Sequence, residues 1–504
     1  MLDWLAKRRQ LTPDRLALVD DRSGERLDYR TFDQRANFLA QALQDRVGVK
    51  VGDRLAVLAK NRPEYFLTLF AAAKLGAILV PLNVRLTPSE LAYILADSKP
   101  VALFTDATLL PTAQALGRDL GIANLINYDT DYPALVAGRP DRAPTPDRQL
   151  SLADPYIILY TSGTTGRPKG AILTHGSVTW NAVNTAISWD VSSADRVITC
   201  APLFHTGGIN VFSLPLFHLG GTVVLMEGFG AERVLELTER ESCTLFFGVP
   251  TMLQLLVESP DFPKRNLTSL RWVIAGGATC PEPVISALAA KGIAFRQGYG
   301  LTEAGPNCFA ISAADARRKP ASVGHPIFHE DARVLDDDGR QVGPDEIGEL
   351  VLRGPHTFAG YWNNPEATAR TLRDGWVYTG DLVRRDTEGH FWIIDRKKDM
   401  YKSGGENVYP LEVERVIETH PKVAEVAVIG VPDPKWDEVG KAYVVLRPGE
   451  SLTLEELNDF CRSRLAKFKL PRCLAVVEQL PRNSTGKVQK AVLKEMARKE
   501  AARG

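Results

Sequence analysis

The sequence is short of several features that would assign it a class at once. It holds 6 cysteines in 504 residues, Cys200, Cys243, Cys280, Cys308, Cys461 and Cys473, and none form a C-x-x-C pair. Zinc and dithiol redox motifs are therefore unsupported, and reduced thiols in a cytoplasmic enzyme are expected. There is no surplus of either charge, with 61 basic and 61 acidic residues. A dedicated nucleic-acid binder needs a basic excess, so no nucleic-acid partner is expected, although a local basic patch is compatible with this balance. No apolar run reaches the ~18 residues of a membrane span. The opening MLDWLAKRRQLTPDR has no apolar core of the kind a signal peptide carries.

A hydrophobic content of 44% and a charged content of 24% are ordinary for a soluble globular chain. At 504 residues one core is too few, and two or three domains are expected. Residues 156–170, YIILYTSGTTGRPKG, organise the rest. Tyr156 to Tyr160 reads as a buried strand that empties into a loop of glycines and hydroxyls. Glycine lets backbone N–H groups approach a phosphate closely, and Arg167 and Lys169 add positive charge. A solvated Ser/Thr/Gly turn is the competing reading. The Walker A spacing is absent, because Lys169 is followed by Gly170.

Residues 1–150 alternate helical and strand patterns: Tyr29 to Val47 helical, Arg54 to Leu58 a strand, Glu64 to Leu75 helical, Ala77 to Pro81 a strand. Thr87-Pro88-Ser89-Glu90 carries a capping pattern, and Val101 to Thr105 is the next strand. Such a rhythm predicts a mostly parallel sheet with helices on both faces. Thr174 is a candidate N-cap for a helix to about Ile187. Thr244 to Phe247 and Leu270 to Ala275 read as buried strands, each emptying into Gly or Pro. Ligands of doubly wound sheets bind beyond such strand ends. From Ser322 to about Ile394 short strands alternate with turns, the rhythm of a small antiparallel barrel. A compact α+β unit follows: helix Pro410 to Thr419, strands Val423 to Val431 and Lys441 to Leu446, helix Leu454 to Leu465, strand Leu474 to Val477.

The loop YTSGTTGRPKG resembles the signature loop of the adenylate-forming superfamily, which includes acyl-CoA synthetases, firefly-luciferase-like enzymes and non-ribosomal adenylation domains. APLFHTGG, RQGYGLTEAG, YTGD, DRKKD and PRNSTGK follow in the family's order, so the resemblance covers nearly the whole chain. It implies a large doubly wound α/β domain over 1–395 with a barrel-like subdomain over 322–394. It also implies a hinge at 396–398 and a mobile α+β lid over 399–504. ATP, Mg²⁺ and coenzyme A are the implied co-substrates and metal.

By the same resemblance Thr161, Ser162, Gly163, Thr164, Thr165, Gly166 and Lys169 would hold the polyphosphate. Thr161 and Glu303 would hold the metal. Gly276, Gly277 and Ala278 would lie against adenine and the acyl group, with Gly298, Tyr299 and Gly300 nearby. Tyr299 offers a face for stacking on the purine. Thr302 would meet the α-phosphate, Asp381 and Arg396 the ribose, and His205 the substrate carboxylate. Lys487 would be the catalytic lysine. Lys402, Gly404, Gly405, Trp436, Phe468 and Lys469 resemble positions along the coenzyme A path. Taken singly, each of these has a bland alternative: a structural histidine, a glycine turn, a solvated charge run, a solubilising lysine.

The implied reaction joins a carboxylic acid to AMP with release of pyrophosphate, then transfers the acyl group to coenzyme A. Small residues at Gly207, Gly208, Gly276, Gly277 and Gly298 suggest a roomy acyl pocket. No basic residue stands inside it to pair a second carboxylate, with Arg296 the exception to check. Medium- to long-chain fatty acids are favoured, with aryl-propenoic acids (feruloyl, cinnamoyl or coumaroyl) as the alternative. A luciferase-like oxygenase or a carrier-protein loading domain would share the first step. A homodimer and peripheral membrane contact stay open.

Overall fold

Apolar strands alternate with helices through the first half of the chain, and they assemble as that rhythm predicts. A computed structural model of the chain describes residues 2–161, 167–482 and 487–501. The chain forms two compact units, Met1–Ala332 with Leu352–Val377, and Arg333–Val351 with Tyr378–Gly504.

The first unit contains two large sheets. One runs in the order Asn124–Asn127, Ala102–Thr105, Arg54–Leu58, Ile78–Pro81, Pro155–Thr161, Lys169–Thr174, parallel except for its last pair. The other runs Ala294–Gln297, Trp272–Ala275, Leu245–Gly248, Arg196–Thr199, Thr222–Leu225, Leu16–Asp20, Arg26–Asp28, again antiparallel only at the end. Covered on both faces, such strands are apolar throughout: Leu55, Ala56, Val57 and Leu58 are all fully buried. The helix Pro88–Ser98 carries the expected capping box between Thr87 and Glu90. Thr174 caps the helix His175–Trp189, two residues longer than the sequence pattern suggests. All six cysteines are free thiols. Burial pushes Cys200, Cys243 and Cys280 up to about 12, so they are inert packing groups. Among the described residues no helix is long and apolar enough to cross a membrane.

Strands joined by turns follow, among them Asp331–Leu335, Ile347–Arg353, Trp376–Arg385 and Phe391–Arg396, the last two antiparallel, in keeping with the hairpin rhythm. The rest of the second unit is the expected α+β assembly. Val423–Asp433 pairs with Asp437–Leu446 along its whole length, which extends the second strand four residues before Lys441. Cys473–Val476 adds in parallel, and Val413, Ile417, Val428, Val444 and Leu457 form the core beneath. The helix Leu454–Cys461 ends short of Leu465 because Leu465 turns inward to join that core.

His175 gives the first unit a pH dependence. Its ring stacks on Tyr156, 4.4 Å between centroids and 6° from coplanar, and Nε2 has no hydrogen-bond partner among the described residues. Burial lowers its pKa to about 4. The folded protein therefore binds fewer protons than the unfolded chain between pH 6.5 and 4. The stability due to neutral His175 is full above 6.5 and is lost as pH falls through 4, about 3 kcal/mol in all. Glu330, fully buried beside His356, has the opposite sign. Burial raises its pKa to about 7, so its contribution is full near pH 4.5 and is lost as pH rises through 7. Denaturant melts of His175→Phe at steps from pH 7 to 4 should show a flatter acid limb than the parent. An identical pH slope would contradict this origin.

Candidate nucleotide and acyl site

Parallel register places the carboxyl ends of neighbouring strands on one edge. Arg196–Thr199 leads there to His205, Leu245–Gly248 ends in Phe247 and Gly248, Trp272–Ala275 leads to Gly276–Ala278, and Ala294–Gln297 leads to Gly298–Gly300. The loop after Pro155–Thr161 starts from the other sheet. Its base is closed by the register pair Thr161 and Lys169. Ser162, Gly163, Thr164, Thr165 and Gly166 lie outside the described residues.

Around Glu303 the structure brings the predicted metal residues together. Thr161 Oγ1 donates to Glu303 Oε1 at 3.5 Å. The Tyr361 hydroxyl donates to the same oxygen at 2.7 Å, and the Lys169 ammonium stands 5.3 Å from the Tyr361 ring centre. Burial and the Glu303 charge raise the Tyr361 phenol pKa, so the phenol keeps its proton. A hard carboxylate oxygen beside a threonine hydroxyl suits a magnesium ion. Tyr361 is absent from the sequence-based set. The 58-residue separation from Glu303 gives no local signal; its only mark is an aromatic after a glycine in AGYW.

The GYGLTE turn is tightly built. Tyr299 is half-buried, edge-on to Phe309 at 5.7 Å, and its carbonyl accepts from Cys308 N–H at 3.0 Å. A Cβ at Gly300 would run into the Pro306 carbonyl and come within 2.6 Å of the Gly305 carbonyl oxygen. Only glycine fits there. Thr302 borders a small, mostly apolar cavity with Leu173, Val178, Pro306, Asn181 and His356.

The acyl-side glycines are not surrounded by empty space. A Cβ at Gly207 would lie 3.0 Å from the Phe247 ring, and one at Gly276 would lie 2.9 Å from its other edge. Phe247 is thus wedged between two backbones and walls a narrow cavity with Thr199, Ala201, Phe212 and Ser213. His205 is half-exposed at the start of the short helix Thr206–Ile209, its ring 5.0 Å from Phe204. Gly208 does not face open space either, since its Cβ would strike the Pro202 carbonyl. Gly277 has φ +84° and both it and Ala278 are exposed. Arg296, the one basic exception, stacks over Trp272 at 4.6 Å and Trp189 at 5.6 Å and donates to the Trp189 carbonyl at 3.5 Å. These contacts leave its buried Nε without a hydrogen-bond partner among the described residues.

In the second unit Asp381 and Arg396 are cross-strand neighbours joined by a 2.6 Å ion pair. Asp395, in the charged run DRKKD, is buried and accepts from Leu411 N–H at 2.7 Å. Gly404, at φ +61°, donates to the Trp436 carbonyl at 2.8 Å, and a Cβ there would come within 2.9 Å of the indole. Arg472 and Lys435 each stand 5.0 Å from a Trp436 ring centre, so the indole carries cations. Lys402 and Gly405 are exposed, while Phe468 is 37% exposed. Lys469 is held by both oxygens of Glu412 at 2.6 and 2.8 Å. Lys487 is exposed; Ser484, Thr485 and Gly486 before it lie outside the described residues. A bridge between Arg482 and Val488 closes the loop, and Lys490 is anchored to Glu414 at 2.8 Å.

An edge that gathers the Glu303 carboxylate, the half-buried Tyr299 ring and the Thr161–Lys169 loop base suits an enzyme that activates its substrate with a nucleotide. Residues 5–362 match the model of the AMP-binding enzyme family and residues 412–487 that of the AMP-binding enzyme C-terminal domain, so the chain belongs to that family. It is 42% identical over 490 residues to a feruloyl-CoA synthase of Amycolatopsis sp., covering 97% of each chain. It is 38% identical to an indoleacetate–CoA ligase of Aromatoleum aromaticum, covering 97% of this chain and 96% of the relative. It is 37% identical to a long-chain-fatty-acid–CoA ligase, FadD13, of Mycobacterium tuberculosis, covering 98% of each. The o-succinylbenzoate–CoA synthetase MenE of Bacillus subtilis, solved with ATP and magnesium, superposes with a TM-score of 0.88 at 32% identity, covering 98% of this chain and 99% of that one. The protein is an AMP-forming acid–CoA ligase whose co-substrates are ATP and coenzyme A, with Mg²⁺.

Proposed function

We propose that this ligase activates an aryl-propenoic acid, of feruloyl or cinnamoyl type, in preference to the medium- or long-chain fatty acids that the glycine-rich pocket first suggested. The observation that carries the reading is the Phe247 ring between Gly207 and Gly276. It fills the room those glycines leave and favours a short, flat acid over a long flexible chain. The greater identity to a feruloyl-CoA synthase than to a fatty-acid ligase supports the same choice. Arg296 is stacked between two indoles, which gives no support to a dicarboxylic acid.

The residues divide the chemistry as follows. The acid is already ionised at neutral pH, so attack on the α-phosphorus needs no general base. Two anions must meet, so fixed positive charge and donors decide the rate. Thr302 and Lys487 would hold the α-phosphate and carboxylate oxygens, Lys169 and the 162–166 loop the departing pyrophosphate, and Asp381 with Arg396 the ribose. His205 would face the carboxylate. Glu303 and Thr161 would hold Mg²⁺, whose charge, when bound, screens the phosphates. The thiol of coenzyme A would then attack the acyl carbonyl and expel AMP. Gly404 and Gly405 would give the pantetheine arm room, and the cation-flanked Trp436 would receive its nucleotide end together with Lys402, Phe468 and Lys469. A turn about 396–398 would exchange Lys487 for the Gly404 segment between the steps.

A panel of acids with ATP, Mg²⁺ and coenzyme A tests the substrate choice, with AMP release and acyl-CoA mass as readouts. Ferulate, cinnamate or coumarate should exceed octanoate to palmitate in kcat/KM by about tenfold or more, the scale set by a well-filled pocket. A fatty acid ranking first would reverse the assignment.

A further inference from the structure

Glu303 is gripped from two directions by one short segment. The Phe358 N–H donates to the Glu303 carbonyl at 2.8 Å, and three residues on the Tyr361 hydroxyl donates to its Oε1 at 2.7 Å. The segment is itself tied down. Tyr361 bridges Ala171 on the strand Lys169–Thr174, the Trp362 N–H donates to the Gly170 carbonyl at 2.7 Å, and the Tyr361 N–H donates to Thr368 Oγ1 at 2.8 Å. Phe358 packs edge-on against the Tyr361 ring at 5.0 Å. The hydroxyl is therefore a fixed donor. Both side-chain hydrogen bonds to Glu303 among the described residues fall on Oε1. Oε2 accepts no side-chain hydrogen bond among the described residues.

We propose that Tyr361 is a positioning residue for the metal carboxylate: it holds Oε1 so that Oε2 is presented to Mg²⁺, and it couples that carboxylate to Lys169 at the base of the phosphate loop. This rests on the reading of Glu303 as the metal-holding group. An outer partner of this kind sets the orientation of a ligand without touching the ion.

Tyr361→Phe tests it. The change deletes one hydroxyl and keeps the ring beneath Lys169, the backbone bridge and the packing on Phe358. Calorimetry of ATP binding to the full chain, with and without Mg²⁺, is set beside a Mg²⁺ titration of pyrophosphate exchange, with Glu303→Gln in parallel. The expected result is ATP affinity unchanged without metal, and a Mg²⁺ concentration for half-saturation raised about tenfold. The exchange rate should recover at high Mg²⁺. A purely structural tyrosine would lower both affinities and show no rescue. An unmoved Mg²⁺ requirement in Tyr361→Phe, with a raised one in Glu303→Gln, overturns the positioning role. If Glu303→Gln also leaves the requirement unmoved, the assignment of Glu303 itself fails.

Discussion

Lys487→Ala is expected to slow acyl-adenylate formation by roughly 10²–10³-fold, the scale for losing one preorganised donor at a developing charge. Thioester formation from a supplied acyl-adenylate should fall far less. The distinction follows from chemistry: the first step joins two anions, whereas the second expels an already activated leaving group. The fold gives the lysine a firm base. Three residues on, the half-buried Lys490 pairs with Glu414 at 2.8 Å. Burial works against its charge, but Glu414 and Asp395 hold its pKa above the usual lysine value. The loop is thus pinned just past Lys487 while the side chain at 487 stays exposed. Pyrophosphate exchange and thioester formation from synthetic adenylate, measured separately, decide the matter. Equal losses in both would contradict the assigned division.

Gly300→Ala should be nearly as damaging by a different route. Its Cβ would collide with carbonyl groups of Pro306 and Gly305, and backbone yields less readily than a side chain. The turn must open, at a cost of about 1–3 kcal/mol by the usual scale of overpacking. Opening it moves Tyr299 and Thr302, and displacement by about 1 Å can lower a rate about 10²-fold. Gly228→Ala is the control, because a Cβ there meets nothing within 4 Å. Thermal melts and exchange rates should separate the two variants. A Gly300→Ala protein as stable and active as its parent would contradict the tightness of this turn.

Much of the fold is written locally. Arg54–Leu58 can be read to the residue because a parallel strand buried on both faces is a continuous apolar run between polar ends. Thr87 and Thr174 announce helix starts because a cap needs only residues three apart. The errors arise where distant partners decide. The strand at Asp437 begins early because Val423–Asp433 offers it hydrogen bonds along its whole length. Nor does the charged run around Asp395 show that the start of a helix fifteen residues on takes it as an acceptor. The site divides in the same way. Motifs mark Glu303, Asp381 and Arg396, and the last two meet across neighbouring strands. Tyr361 and Phe247 carry no such mark, because what they do depends on groups tens of residues away.

Phe247 and the two glycines flanking it form a set whose members cannot change alone. A methyl added at 207 or 276 would press on the ring, and a smaller group at 247 would leave a gap that neither glycine can close. Shifts of substrate range in this scaffold should therefore come as paired substitutions, one position growing as another shrinks. Single changes at any of the three would be filtered out before a new acid could be tried.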